Sequence, residues 1–148
     1  MATDTKRILD SVHGYIKMRS SLFEYIIDTP NFQRLRHIEP TSARSIFPSA
    51  RHDRFVHSLG VFHLGEKMVY AIENTNDSKW FPQNKNIVYN CFRAACLLHD
   101  VGHSPFSHTF EKYYNNQDSR LMELLKQEIG NKNFSSDAIN SIALIISE

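Results

Sequence analysis

An all-α domain with a short extended or β arm at its N-terminus is the fold class this sequence predicts, and three observations carry it. Two long stretches, one from Asp53 to about Asn74 and one reading NIVYNCFRAACLLHD, repeat apolar residues at helical spacing. Capping and breaking residues punctuate the chain where helices should start and stop. No strand-period segment of convincing length follows residue 20.

In chain order, KRILDSVHGYIKM alternates locally around a Gly and reads as a strand pair or an extended arm. Ser20 or Ser21 can cap a helix through LFEYIID, which Asp28-Thr29-Pro30 breaks. Pro30 then suits the first position of a helix NFQRLRHI, although Phe32, Leu35 and His37 do not share one clean face. PTSARSIFPSA reads as a loop. In the helix from Asp53, His57, Val61, Leu64 and Met68 recur at spacings of 4, 3 and 4, which turns His57 inward. TNDSKWFPQN connects it to the next helix, whose buried stripe is expected to be Ile87, Cys91, Ala94, Ala95 and Leu98. His99 and Asp100 sit at its end, with Gly102 as the stop. HTFEKYY and LMELLKQEIG read as further helices. A last one, capped by Ser135 or Ser136, lines up Ile139, Ile142 and Ile146 and would expose them unless something covers it.

A chain of 148 residues is one ordinary domain, able to bury roughly two-thirds of its unfolded surface. Its net charge of +1 gives no broad grip on nucleic acid or on an anionic membrane. Cys91 and Cys96 are too few for a disulfide framework and read as small core residues. Without a signal-like leader or a spanning apolar run, the sequence suits a reducing cytoplasm, or the nucleus in a eukaryote.

Histidine is the outlier. Eight are present, and five fall in two clusters: His52 with His57, and His99 with His103 and His108. Neighbouring helical side chains point about 100° apart, so His99 and Asp100 do not normally share a partner. At a fraying helix end they can hold one ion between them, and His57 can supply a third ligand from a facing helix. This N/O donor set suits a divalent cation such as Mn, Mg, Fe, Ni or Zn. A lone inward His is more often a hydrogen-bonded core residue than a ligand, and an HD dipeptide is common. The thirteen residues HDVGHSPFSHTFE weigh against that blander reading, because they gather three histidines, Asp100 and Glu111.

RHDRFVHSLGVFHLG followed by LLHDVGHSPFSHTFE resembles the HD-domain phosphohydrolases, and most of all their deoxynucleoside triphosphate triphosphohydrolase branch. DSVHGYIKM and IIDTPNFQRLRHI resemble that branch too. The resemblance runs from about Lys6 to Glu111 and implies an HD-domain helical bundle over residues 1–148, the N-terminal part of a longer enzyme. It implies His57, His99 and Asp100 as metal ligands, Arg54 as a phosphate contact, and His103, His108 and Glu111 around the attacked phosphorus. His108 would give a proton to the leaving oxygen, oriented by Glu111. The implied reaction cleaves a dNTP to deoxynucleoside and triphosphate. Lys6, Asp28, Gln33 and Arg36 fall where that branch binds an effector nucleotide between subunits of a homo-oligomer.

The sequence departs from that branch in three places. No late Asp in a matching context supplies the fourth metal ligand, Pro40 replaces a sugar-pocket Gln, and NNQDSRLME stands where a His-Glu pair is expected. Residues 1–148 alone are therefore expected to have little or no triphosphohydrolase activity, and the longer parent protein to have it. The competing readings are a degenerate or truncated HD module that binds nucleotide or a partner without turnover, and an HD phosphodiesterase or nuclease. Near-neutral charge argues against a polynucleotide track.

Overall fold

The computed structural model describes residues 4–40, 44, 46–75, 85–103 and 142. Strands β1 (Thr5–Asp10) and β2 (Gly14–Arg19) form an antiparallel hairpin, Thr5 opposite Arg19 and Asp10 opposite Gly14. Of the two forms the sequence allowed for this arm, it takes the strand pair. The turn closes because Asp10 Oδ1 accepts from the amides of Val12 (2.9 Å) and His13 (2.7 Å), and because Gly14 takes φ 72°, a left-handed conformation glycine adopts without strain. Alternation along β2 buries Ile16 and Met18 and exposes Tyr15 and Lys17.

Helix α1 (Ser20–Leu22) follows directly and widens into a π-turn, Phe23–Ile27. The expected serine cap is absent. Arg19 occupies the cap position, and the Ser20 hydroxyl donates instead to Asp4 Oδ1 at 2.8 Å. The π-turn, which periodicity did not foretell, brings the consecutive Ile26 and Ile27 both into the core. Thr29 caps α2 (Pro30–Gln33) by accepting from the Phe32 amide, and Pro30 opens it as expected. The chain continues as a 3₁₀ turn, Arg34–His37. Three residues per turn stack Phe32 under Leu35, both buried, and leave His37 exposed, which explains why no α-helical face emerged from the sequence.

Helix α3 runs Arg54–Glu73, capped by the Asp53 side chain on the Val56 amide (2.8 Å) and closed at Asn74, the limits the sequence predicts. Its buried face differs from the expected one. Phe55, Ser58, Leu59, Phe62, Gly65 and Val69 point inward, whereas Leu64 and Met68 are each 55% exposed. Apolar residues occur all round this helix, so periodicity alone does not set which side faces the core. Helix α4 (Lys85–Leu98) buries Cys91, Ala94, Ala95 and Leu98 as predicted, but Ile87, in its first turn, is 58% exposed. It ends at Leu98, ahead of Gly102, and His99 and Asp100 lie in the turn that follows.

Helices α3 and α4 pack against each other, α3 also against the 3₁₀ segment and α4 against the π-turn, and the core gathers Ile16, Phe32, Leu35, Phe62 and Leu97. Phe32 and Phe55 meet edge to face at 5.3 Å. Ile142 is helical and fully buried in this same core, so the expectation that it lies on an exposed stripe does not hold. The other residues of that stripe, and the helices read in HTFEKYY and LMELLKQEIG, lie outside the described residues. Among the described residues the fold is mostly helical with one hairpin, and no helix is long and apolar enough to cross a membrane.

Candidate metal centre

Two elements bring the predicted ligands together. α3 presents His57 one turn from its N-terminus, and the turn after α4 presents His99 and Asp100. The donor atoms of these three side chains all lie within 4.8 Å of one another. His57 Nε2 stands 3.7 Å and His99 Nε2 3.5 Å from Asp100 Oδ2, and the two rings meet edge to face at 5.3 Å. His57 is half-exposed rather than facing the core, so it reaches Asp100 from the rim.

The hydrogen bonding decides what this cluster can hold. Cys96 O lies 3.0 Å from His99 Nδ1, and a carbonyl only accepts, so Nδ1 carries the proton. In the neutral ring Nε2 then offers its lone pair towards Asp100, an orientation common to metal-binding imidazoles. Burial is the largest influence on His57 and holds its pKa below the ordinary 6.5, with Asp100 opposing. Its neutral form is thereby favoured, and that form binds metals. Asp100 is only 4% exposed, and its Oδ2 is buried with no hydrogen-bond partner among the described residues. Leaving a buried charged acceptor unmet costs more than about 1–3 kcal/mol. An acceptor oxygen facing imidazole lone pairs is repelled by them unless a cation lies between, and this donor set fits a divalent one.

The second oxygen is occupied differently. Arg54 Nη1 sits 2.6 Å from Asp100 Oδ1, with both side chains buried, and His103 Nε2 approaches the same oxygen at 3.4 Å. His103 thus joins the cluster on the side away from His57 and His99. The carboxylate binds Arg54, which the resemblance assigned to substrate phosphate. His52 is exposed on the loop before α3. His108 and Glu111 lie outside the described residues.

Arg34 is a contributor that sequence reasoning missed. From the 3₁₀ turn it donates to Val101 O (2.6 Å) and His103 O (3.0 Å), clamping the backbone just past Asp100. These partners lie 67 and 69 residues away, and nothing local in QRLR signals them. The four expected effector residues are only partly gathered. Arg36 donates to Gln33 Oε1 at 2.8 Å and lies over the Phe55 ring, while Lys6 pairs with Glu24 at 3.7 Å. Asp28 is exposed at the end of the π-turn. Among the described residues, no hydrogen bond or ion pair joins Lys6 or Asp28 to Gln33 or Arg36.

The sequence profile of the HD domain family matches residues 54–146. The chain is 38% identical over 128 residues to the deoxynucleoside triphosphate triphosphohydrolase SAMHD1 of Homo sapiens, covering 85% of this chain and 19% of that one. With its counterpart in Danio rerio it shares 43% over 103 residues, 69% of this chain and 16% of the relative. The SAMHD1 homolog of Dictyostelium discoideum is 32% identical over 154 residues, 96% of this chain and 29% of its own length. The chain therefore spans less than a third of these relatives. Among solved structures, a hypothetical protein from Aquifex aeolicus superposes with a TM-score of 0.77 at 30% identity, over 97% of this chain and 37% of that one. A phosphohydrolase from Bacteroides thetaiotaomicron superposes with a TM-score of 0.74 at 28% identity, over 97% and 34%.

Proposed function

This chain belongs to the HD domain family, and on that premise we propose that it carries the metal-binding half of a phosphohydrolase site acting on deoxynucleoside triphosphates. The observation that carries the reading is the buried Asp100 Oδ2, which has no hydrogen-bond partner among the described residues, set beside the Nε2 atoms of His57 and His99. These three residues would hold a divalent cation. When bound, such a cation supplies Lewis acidity at the reacting phosphoryl group.

The protein's own groups do the rest. His103, beside Asp100 Oδ1 and not among the ligands, lines the cleft where the phosphates lie. His108 holds the proton for the leaving oxygen and Glu111 orients it. The products are deoxynucleoside and triphosphate, the reaction that the human relative's name describes. Lys6, Asp28, Gln33 and Arg36 serve an effector nucleotide in a homo-oligomer.

Metal content after dialysis against Mn, Ni or Zn tests the centre. Wild type is expected to retain about one ion per chain, and Asp100→Asn and His99→Ala to lose it while keeping the helical circular dichroism. A metal-free wild type would overturn the reading. Long incubation with each dNTP at high protein concentration, with products separated by ion exchange, tests the reaction. Triphosphate is expected, and release of monophosphate and pyrophosphate would contradict it.

A further inference from the structure

Arg54 opens α3, and its backbone is fixed twice over. The Asp53 side chain caps the helix at this point, and the Arg54 amide donates to Ile38 O at 2.9 Å. From that anchored start the side chain runs inward and is almost wholly buried. Its guanidinium meets Asp100 Oδ1 at 2.6 Å, a charge-assisted contact between groups that water scarcely reaches. The carboxylate is planar, so a grip on Oδ1 also fixes where Oδ2 points. Oδ2 points at the two imidazole nitrogens, at 3.7 and 3.5 Å.

We propose that Arg54 is a positioning residue for the metal centre: by holding Asp100 Oδ1 it aims Oδ2 at the space shared with His57 and His99, so that the carboxylate offers one oxygen to the cation and keeps the other for the arginine. This rests on the metal reading above and adds to the phosphate contact that the resemblance gave Arg54. Through this grip the guanidinium acts on the reaction by way of the metal ligand. Second-sphere partners of metal ligands matter on a known scale, and their loss typically costs ~10–100-fold in metal affinity. Gln, two bonds shorter than Arg, leaves Oδ1 ungripped. Lys keeps a charged donor close to the required length.

The test uses cobalt(II) chloride as probe on the 148-residue chain. Binding is followed by the visible absorption of the ion, which reports affinity and coordination geometry together, and folding by circular dichroism. Arg54→Ala and Arg54→Gln are expected to bind cobalt ~10–100-fold more weakly with an altered spectrum, and Arg54→Lys to restore most of both. If Arg54→Ala does not fold, Arg54→Gln, which keeps polar bulk at the site, is read instead. Wild-type affinity and spectrum in Arg54→Gln would overturn the inference. A fall in stability with unchanged spectrum would overturn it too, leaving a merely structural ion pair. Failure of the wild type to bind cobalt would instead sink the metal reading itself.

Discussion

Asp100 meets two demands, one from each oxygen, and the two can be separated by mutation. Oδ1 meets a buried guanidinium, while Oδ2 lies buried beside two imidazoles with no hydrogen-bond partner among the described residues. Asp100→Ala removes a counter-charge from Arg54 where both side chains are buried, and breaking one side of a buried pair costs about 3–5 kcal/mol. Asp100→Asn keeps an acceptor oxygen for Arg54 and should cost clearly less, although it too loses the metal. Urea denaturation of the metal-free proteins checks the order, and equal losses would mean that the ion pair contributes nothing to the fold. The HD pair was legible in the sequence because imidazoles and carboxylates rarely crowd so closely without a shared task. The division of labour between the two oxygens was not legible. It depends on Arg54 turning inward, and a sequence records the residue type but not the direction of its side chain.

The angle and spacing of α3 and α4 set whether His57 can reach the other two ligands. They pack tightly at Gly65, where an added Cβ would lie 2.8 Å from Cys96 Sγ and 3.2 Å from the Phe92 ring. Cys96 is itself packed in, and burial pushes its thiol up to about 11. Gly65→Ala gains ~1 kcal/mol of helix propensity but forces the helices apart, and overpacking of this kind costs about 1–3 kcal/mol. A net loss of stability is expected, accompanied by weaker metal binding because the two arms of the site separate. Gly60→Ala is the control on the same helix. Its Cβ would touch only the end of the His13 ring, at 3.2 Å, which can give way, so a gain of up to ~1 kcal/mol in stability with near-wild-type metal affinity is expected. If both variants behave alike in thermal melts and metal titration, Gly65 does not set the spacing. The limits of α3 could be read from the sequence because Asp53 and Asn74 act locally on the backbone. Its inward face could not. Phe55, Leu59, Phe62 and Val69 point in while Leu64 and Met68 point out, and all are apolar. The small residues Ser58 and Gly65 marked the contact side, a signal that counting apolar spacings passes over.

Across the whole molecule, short segments far apart in sequence hold the site. The 3₁₀ turn clamps the chain beyond Asp100 through Arg34, Ile38 O receives the Arg54 amide, and the N-terminal hairpin rests against α3. None of these ties has a local sequence signal, which is why the order of helices was readable and their bracing was not. The hairpin's contact carries a pH dependence. The rings of His13, in the hairpin turn, and His63, on α3, face each other at 5.0 Å. His63 has its pKa held below the ordinary 6.5, first by burial, then by Lys67 and His13, with Asp10 pulling the other way. Asp10 stays ionised through this range, because the His13 amide above all holds its carboxyl below its usual value. A histidine with a depressed pKa is neutral in the fold while the unfolded chain has begun to take up its proton. Its contribution to stability is therefore complete above about pH 6.5 and is lost as pH falls below that value through the folded pKa. The hairpin is expected to loosen from α3 over the same interval, seen as faster amide exchange in β1 and β2. NMR titration of the His63 ring should give a midpoint below 6.5, and His13→Ala, which removes both a covering ring and a nearby charge, should move it upward. A wild-type midpoint at or above 6.5 would show that the His13–His63 contact does not disfavour protonation, and the hairpin would then have no reason to respond to acid at this point.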